Sequence, residues 1–413
     1  MNKIALMSLV ASSVLMAGGY KIPENSLNGV ALSAANIAHN KSADAAYYNP
    51  ANMVFMSDEN HMEADLTYIG LSAINYKGDY TNAFGTTSEN IDSEAESFLV
   101  PSLHYVSGDV SGARFGVSVV VPVGLSKRWK NNAGTESAEE FTLETVEINP
   151  TIALPIGDKI GVAVGFRIVH SSGVVKATPW ANNISQDMNG DSIDFGYNLA
   201  LAYKPTSELE LGLTYRSKID LTEDGDADVF LSSTAATAKG LSFDIDPKRN
   251  VNATLTVPLP ATLSLAAAYT LPTKTTIEFV YERNYWSAYE EINFDFADPY
   301  AEGVFGSAKP KNWNDTNAFR LGVTQELDKM TLMAGVVIDE TPVPDATIGF
   351  ELPDSDSVSV SLGGRYQINE KMDVGIAALY SMREDRTVNT TSLTGEFTNA
   401  DALLISMGMG YKF

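Results

Sequence analysis

Chemistry at neutral pH needs a base, and the chain offers four histidines, His39, His61, His104 and His170. None stands in a Ser-His or Asp-His arrangement of the kind that activates a nucleophile. They read as solvated or interface histidines, which argues against a lipase or protease. The chain has no cysteine, which excludes disulfide scaffolds, thiol nucleophiles and thiolate metal sites. The acidic run Asp220–Asp228 (DLTEDGDAD) could attract Ca²⁺, yet it lacks the spacing of an EF-hand loop that ends in Glu. It reads as a solvated loop, as does Asp354-Ser355-Asp356. No metal and no cofactor is expected. What remains is the chemistry of cations. Arg167, Arg216, Arg320 and Arg365 stand on the polar side of alternating segments, where a planar fork could hold a carboxylate. Lys176 and Lys218 stand closer to the loops and could meet such a carboxylate first. The alternative is that the arginines pair with Glu210, Asp220, Glu278 and Glu282 and brace an interior. The sequence leaves both open.

The elements that carry these residues are strands. In Glu208–Leu221 (ELELGLTYRSKIDL), Leu209, Leu211, Leu213, Tyr215, Ile219 and Leu221 fall on one face and Glu208, Glu210, Thr214, Arg216, Lys218 and Asp220 on the other. A period of two is the signature of a pleated strand. The same pattern recurs at 160–168, 194–203, 277–285 and 358–363, with Gly, Ala and Ser common on the polar side, which suits a crowded interior. Short turns such as Gly157-Asp158 and Asn369-Glu370-Lys371 alternate with long polar stretches near 82–96, 131–140, 178–191, 225–250, 297–314, 342–356 and 389–394. Short turns on one side and long loops on the other are the layout of a transmembrane β-barrel, and about 14 strands fit between His61 and Phe413. The last segment, Asp401–Phe413, alternates and ends on an aromatic residue. Tyr68, Tyr76, Trp129, Tyr285 and Trp286 lie near strand ends, where an aromatic girdle would sit.

The N-terminus supplies the compartment. Met1-Asn2-Lys3, the apolar run Ile4–Met16 and the small residues Ala17, Gly18 and Gly19 have the three-part layout of a secretory signal peptide, with cleavage after residue 17 or 19. No later run approaches the ~18 apolar residues of a spanning helix. A net charge of −24, from 52 acidic and 28 basic residues, argues against nucleic acid. Between signal and strands lies a segment of different character, residues 18–59. It is rich in Ala, Ser, Asn and Gly, with one helix-like piece over Leu27–His39. Its small residues suit a plug inside the barrel of residues 60–413, and a plugged lumen argues against a general porin.

A set of motifs runs along the chain: Gly18-Gly19-Tyr20-Lys21, Asp44-Ala45-Ala46-Tyr47-Tyr48-Asn49-Pro50-Ala51, Leu213-Thr214-Tyr215-Arg216-Ser217, Trp313-Asn314-Asp315-Thr316, Asp339-Glu340-Thr341-Pro342-Val343-Pro344, Leu352-Pro353-Asp354-Ser355-Asp356 and Gly363-Gly364-Arg365-Tyr366. In this order and spacing they make the chain similar to the FadL/TodX family of outer-membrane transporters for hydrophobic compounds. The resemblance runs nearly end to end. It implies an all-β, 14-stranded barrel in the outer membrane of a Gram-negative cell, with an N-terminal hatch in its lumen. It also implies passive uptake of hydrophobic small molecules, long-chain fatty acids first and aromatic or alkane hydrocarbons second. Ligand would be captured at the extracellular loops and released sideways into membrane lipid through a gap at the third strand. On this resemblance Gly18, Gly19, Tyr20, Asn49, Pro50 and Ala51 are gate residues, with Tyr47–Ala51 facing the wall near Pro122. The third strand, 113–129, contains Pro122, which cannot complete a ladder, and Gly124, which weakens pairing. These two mark the lateral opening. Phe413 resembles the C-terminal signal read by the barrel-assembly machinery. The protein is expected to act as a monomer.

Overall fold

The computed structural model describes residues 18–82, 84–179, 184–233 and 248–413. The expected signal peptide, residues 1–17, lies outside the described residues, as does part of the polar stretch 225–250.

Fourteen antiparallel strands form one closed wall. In chain order they are β1 (His61–Leu71), β2 (Glu96–Val106), β3 in two pieces (Arg114–Val120 and Leu125–Lys127), β4 (Glu140–Ile156), β5 (Ile160–Ala177) and β6 (Ile184–Tyr203). Then come β7 in two pieces (Leu209–Arg216 and Ile219–Leu231), β8 in two pieces (Lys248–Leu259 and Thr262–Thr270) and β9 (Thr275–Asn284). β10 (Thr316–Glu326), β11 (Met330–Asp339), β12 (Ser357–Gln367), β13 (Met372–Arg383) and β14 (Ala402–Lys412) complete the set. β14 pairs with β1 from His61↔Lys412 to Leu71↔Ala402, and Asn60 and Phe413 exchange backbone hydrogen bonds at 3.1 Å. That seam removes both sheet edges.

Burial is inverted relative to a water-soluble barrel. On β1, His61, Glu63, Asp65 and Thr67 are buried inside, while Met62, Leu66 and Tyr68 are exposed outside. Leu199, Leu201, Phe279, Leu321, Ile376 and Met407 belong to the same exposed belt. Apolar side chains turned outward in this way need lipid as their solvent. Of the residues expected in an aromatic girdle, Tyr68 is exposed on the outer face and Tyr285 is half-buried, whereas Tyr76, Trp129 and Trp286 are fully buried in clusters under the long loops.

Two expectations change at β7. Leu209, Leu211, Leu213 and Tyr215 do face outward, but Ile219 and Leu221 are buried inside, and Lys218 and Asp220 are exposed. Below the break β7 pairs with β6 as Leu211↔Tyr203 and above it as Asp224↔Asp191, a register offset of one residue. This is a β-bulge, and a one-residue slip swaps the faces of everything beyond it. β8 swaps with it at Pro260-Ala261, so Leu255, Val257 and Leu259 turn inward above the break and Thr262 and Ser264 below it. The upper lumen is therefore apolar where the lower lumen is polar. β6 also begins as a strand at Ile184, inside the expected loop 178–191, and β7 continues to Leu231, inside the expected loop 225–250.

The hatch fills the lower lumen. The expected helix 27–39 is only one turn and a half, α1 (Leu27–Ala31), capped by the Ser26 hydroxyl accepting from the Gly29 amide. The chain then turns with Ser33 and Ala34 at positive φ. A second turn, α2 (Ala45–Tyr48), leads into a 3₁₀ helix over Pro50–Phe55, which Asn49 caps. Inward glycines make room for it. A Cβ on Gly161 would come within 2.3 Å of the Ala51 carbonyl oxygen, and one on Gly335 within 2.3 Å of the Leu32 carbonyl carbon.

Candidate functional site

The third strand breaks where the proline stands. β2 and β3 pair only from Leu103↔Val119 to Val106↔Gly116, so among the described residues Glu96–Ser102 have ladder partners on β1 alone. Backbone groups freed in a wall need other partners, and the hatch supplies them. The Val121 amide donates to the Asn25 side-chain oxygen at 3.1 Å. The Ile22 amide donates to the Pro122 carbonyl at 3.0 Å, and the Gly124 amide to the Tyr20 carbonyl at 2.9 Å. The Thr145 hydroxyl donates to the Val123 carbonyl at 2.5 Å. Residues 20–25 of the hatch thus serve as the missing neighbour of strand 3. Asn49 and Ala51 lie elsewhere, against β5–β7: Asn49 donates to Ile37 and Leu201 carbonyls, and Ala51 abuts Gly161. The hatch residues bonded to the 121–124 segment are Tyr20, Ile22 and Asn25, not Asn49, Pro50 or Ala51.

Above this break the inverted upper halves of β7 and β8 enclose an apolar cleft. It is lined by Leu125, Phe141, Leu143, Val175, Leu255, Val257, Trp313 and Leu352, floored by Tyr20, with Glu223, Lys311, Glu351, Thr142 and Tyr289 as its polar groups. Its open space is about 30 Å³, so a ligand must part side chains to enter. Tyr20 is the keystone of its floor. Its ring lies 4.7 Å from Trp286, 5.6 Å from Trp313 and 6.3 Å from Tyr289 between centroids, and its hydroxyl donates to the Pro258 carbonyl at 2.5 Å. Gly18 and Gly19 thread the chain to that point: their amides donate to Asp339 at 3.2 Å and Asp354 at 2.9 Å. Gly19 has φ +76°, and a Cβ there would come within 2.7 Å of Trp286. Phe350, Tyr76, Trp129 and Phe397 form a second aromatic cluster, with the Trp129 indole donating to the Phe350 carbonyl at 2.9 Å. A wider groove of about 870 Å³ among the outer loops is polar, with Glu89, Arg128, Lys130, Glu136 and Lys176 on its walls.

The four arginines face inward, and none lines the cleft. Arg167 and Arg216 share one carboxylate, Glu147, rather than the expected Glu210 or Asp220. Arg167 also donates to the Ser217 carbonyl at 2.7 Å, holding the β7 bulge, and Arg216 lies 4.4 Å above the Tyr47 ring. Arg320 pairs with Glu282 at 3.3 Å and donates to the Ser33 carbonyl at 2.9 Å. Arg365 joins Glu63 and Asp373 and donates to Asn28 at 2.7 Å. Glu278 accepts the amides of Ile37, Ala38 and His39. These groups fasten the hatch to the wall. Lys176 sits in the outer groove between Glu140 and Asp187. Lys218 lies on the outer surface with Asp220 at 2.9 Å. Sequence reasoning missed Lys311 and Glu223. Lys311 precedes the Trp313-Asn314 motif, and Glu223 was hidden in an acidic run that reads as loop.

A lipid-facing barrel with an inner plug, a broken third strand and an apolar cleft above the break defines a transporter of the outer membrane. A family model described as "Outer membrane protein transport protein (OMPP1/FadL/TodX)" matches residues 8–413, and the chain belongs to that family. It is 24% identical to a long-chain fatty acid transport protein of Escherichia coli O6:H1, over 92% of this chain and 90% of that one. It is 23% identical to outer membrane protein P1 of Haemophilus influenzae, over 98% and 99%. In fold it resembles a Pseudomonas aeruginosa FadL homologue (TM-score 0.83, 21% identity, 96% of this chain and 100% of that one). It also resembles the P. putida toluene transporter TodX (TM-score 0.70, 17% identity, 94% and 98%). The protein is a transport protein of the outer membrane and not an enzyme.

Proposed function

We propose that the barrel takes up long-chain fatty acids, which enter between the extracellular loops, lodge in the apolar cleft and leave sideways between β2 and β3. The observation that carries this reading is the broken ladder at residues 121–124, directly beside the cleft wall at Leu125 and filled by residues 20–25 of the hatch. Phe98 and Val100 on β2, Val120 and Val121 on β3, and Ile22 of the hatch pack there as one apolar cluster. Each buried CH₂ of an acyl chain contributes about 0.8 kcal/mol, so a route that stays apolar from cleft to lipid retains what an aqueous pore would forfeit. The fatty acid transport proteins among the relatives support the ligand class. Membrane lipid would receive the product, and the closed seam at Phe413 fits a barrel that acts as a monomer after insertion by the assembly machinery.

The aromatic box of Tyr20, Trp286, Tyr289 and Trp313 favours a second reading, uptake of aromatic hydrocarbons by the same path. Proteoliposomes given labelled oleate or toluene separate the two. Saturable uptake of oleate, blocked by a disulfide across β2 and β3, is expected. Uptake of toluene alone selects the second reading, and uptake of neither defeats both.

A further inference from the structure

The polar groups of the cleft do not suit an anion. Lys311 is the cation on its wall, and it is already paired with Glu351. The Tyr20 hydroxyl is used on Pro258. Glu223 is different. It projects from the inverted half of β7, is 3% exposed, and lies against Gly173, where a Cβ would come within 2.1 Å of its Oε2. Its Oε1 is buried without a hydrogen-bond partner among the described residues, in the cleft that Leu255, Val257 and Val175 also line. A buried polar group left without a partner is costly, and burial with no cation beside it pushes the Glu223 carboxyl up to about 8, so at neutral pH it holds its own proton.

We propose that Glu223 is the polar anchor of the cleft, and that a ligand's head meets it through one shared proton: an alcohol, or a carboxyl group with a single proton between the two. This rests on the uptake reading above and narrows its ligand. A fatty acid then binds with one proton, which lies between its carboxyl and Oε1; no covalent bond forms or breaks. The other ionisable groups bearing on Glu223 are Asp191 and Asp194 on β6, with Lys311, Glu351, Tyr20 and Tyr289 across the cleft. The β6 carboxylates add to the repulsion of a bare anion, and the Lys311–Glu351 pair brings no net charge against it.

The test uses the mature protein in amphipol, with its tryptophan fluorescence, to which Trp313 on the cleft wall contributes, reporting binding of decanol, decanoate and decane. Decanol should bind more tightly than decanoate at about pH 10, where Glu223 is ionised. Decanoate affinity should rise about tenfold per unit as pH falls to about 8, where Glu223 takes up its proton, and level off below it, as one-proton linkage requires. Glu223→Gln, which keeps the shape, should bind decanoate with little dependence on pH. Glu223→Leu should erase the advantage of decanol over decane. Decanoate binding of wild type that is flat with pH, or a pH dependence that survives in Glu223→Gln, overturns the assignment while leaving the cleft as a binding site. If none of the three ligands binds wild type, the uptake reading falls and this one with it. Should Glu223→Leu fail to fold, the isosteric Gln variant still decides.

Discussion

Tyr20→Ala should release the leading end of the hatch while leaving the barrel intact. Tyr20 is 2% exposed, touches three aromatic rings and donates one buried hydrogen bond. Truncating a buried aromatic ring costs about 3–5 kcal/mol, and the cost falls locally, because the strands carry their own ladders. Three kcal/mol is roughly a 150-fold increase in the open fraction of that segment. The next residue, Lys21, reports the opening. Its ammonium is held by Glu282 at 2.7 Å and Asn284 at 2.9 Å inside the barrel, out of reach of trypsin. Limited trypsinolysis of Tyr20→Ala, with mass spectrometry of the new end at Ile22, should show cleavage after Lys21 at least ~100-fold faster than in wild type. Tyr20→Phe keeps the ring and loses about 1 kcal/mol of hydrogen bond, so its cleavage should rise about fivefold. An unchanged rate in Tyr20→Ala would refute the account of Tyr20 as the fastening of the hatch.

Glu147→Gln should leave Arg167 and Arg216 buried without their shared counter-charge, at a cost of about 3–5 kcal/mol; a lower temperature of the heat-induced gel shift checks it. Pro122→Val, which restores a ladder donor, should reduce oleate release into liposomes while binding in the cleft persists, and equal loss of both would argue against a separate exit. The Lys311–Glu351 pair sets an acid limit on the loop 342–356. Burial alone would raise the Glu351 carboxyl, but the Lys311 ammonium and its hydrogen bond outweigh that and hold it below the ordinary 4.5. A depressed carboxyl contributes stability above its unfolded value that is lost as pH falls through the folded one. Tryptophan emission, which includes that of Trp313 beside the pair, should therefore stay constant down to 4.5 and change only below it.

The barrel was legible because period-two alternation survives in every strand, from His61 to Phe413. What the alternation conceals is which side faces lipid. At Arg216-Ser217-Lys218-Ile219 the apolar residues keep their odd positions while the chain slips one residue against β6, so the written pattern runs on unbroken and the faces exchange. Glu223 could not be placed without that slip. The arginines were legible as inward residues, but their partners depend on distant strands, as with Glu147. Pro122 announced the break by its missing amide. That Tyr20, Ile22 and Asn25 would fill it could not be read, because those contacts join residues about a hundred positions apart.

The bulge in β7 also works as a depth gauge. Below it the outward residues are Leu209, Leu211, Leu213 and Tyr215; above it they are Asp220, Thr222 and Asp224. Carboxylates do not sit in hydrocarbon, so the lipid boundary falls at the bulge, and the cleft lies at or above the membrane surface. A molecule that leaves through the wall must therefore first sink past Tyr20. The same slip that makes the site oily also fixes how far its cargo has to descend.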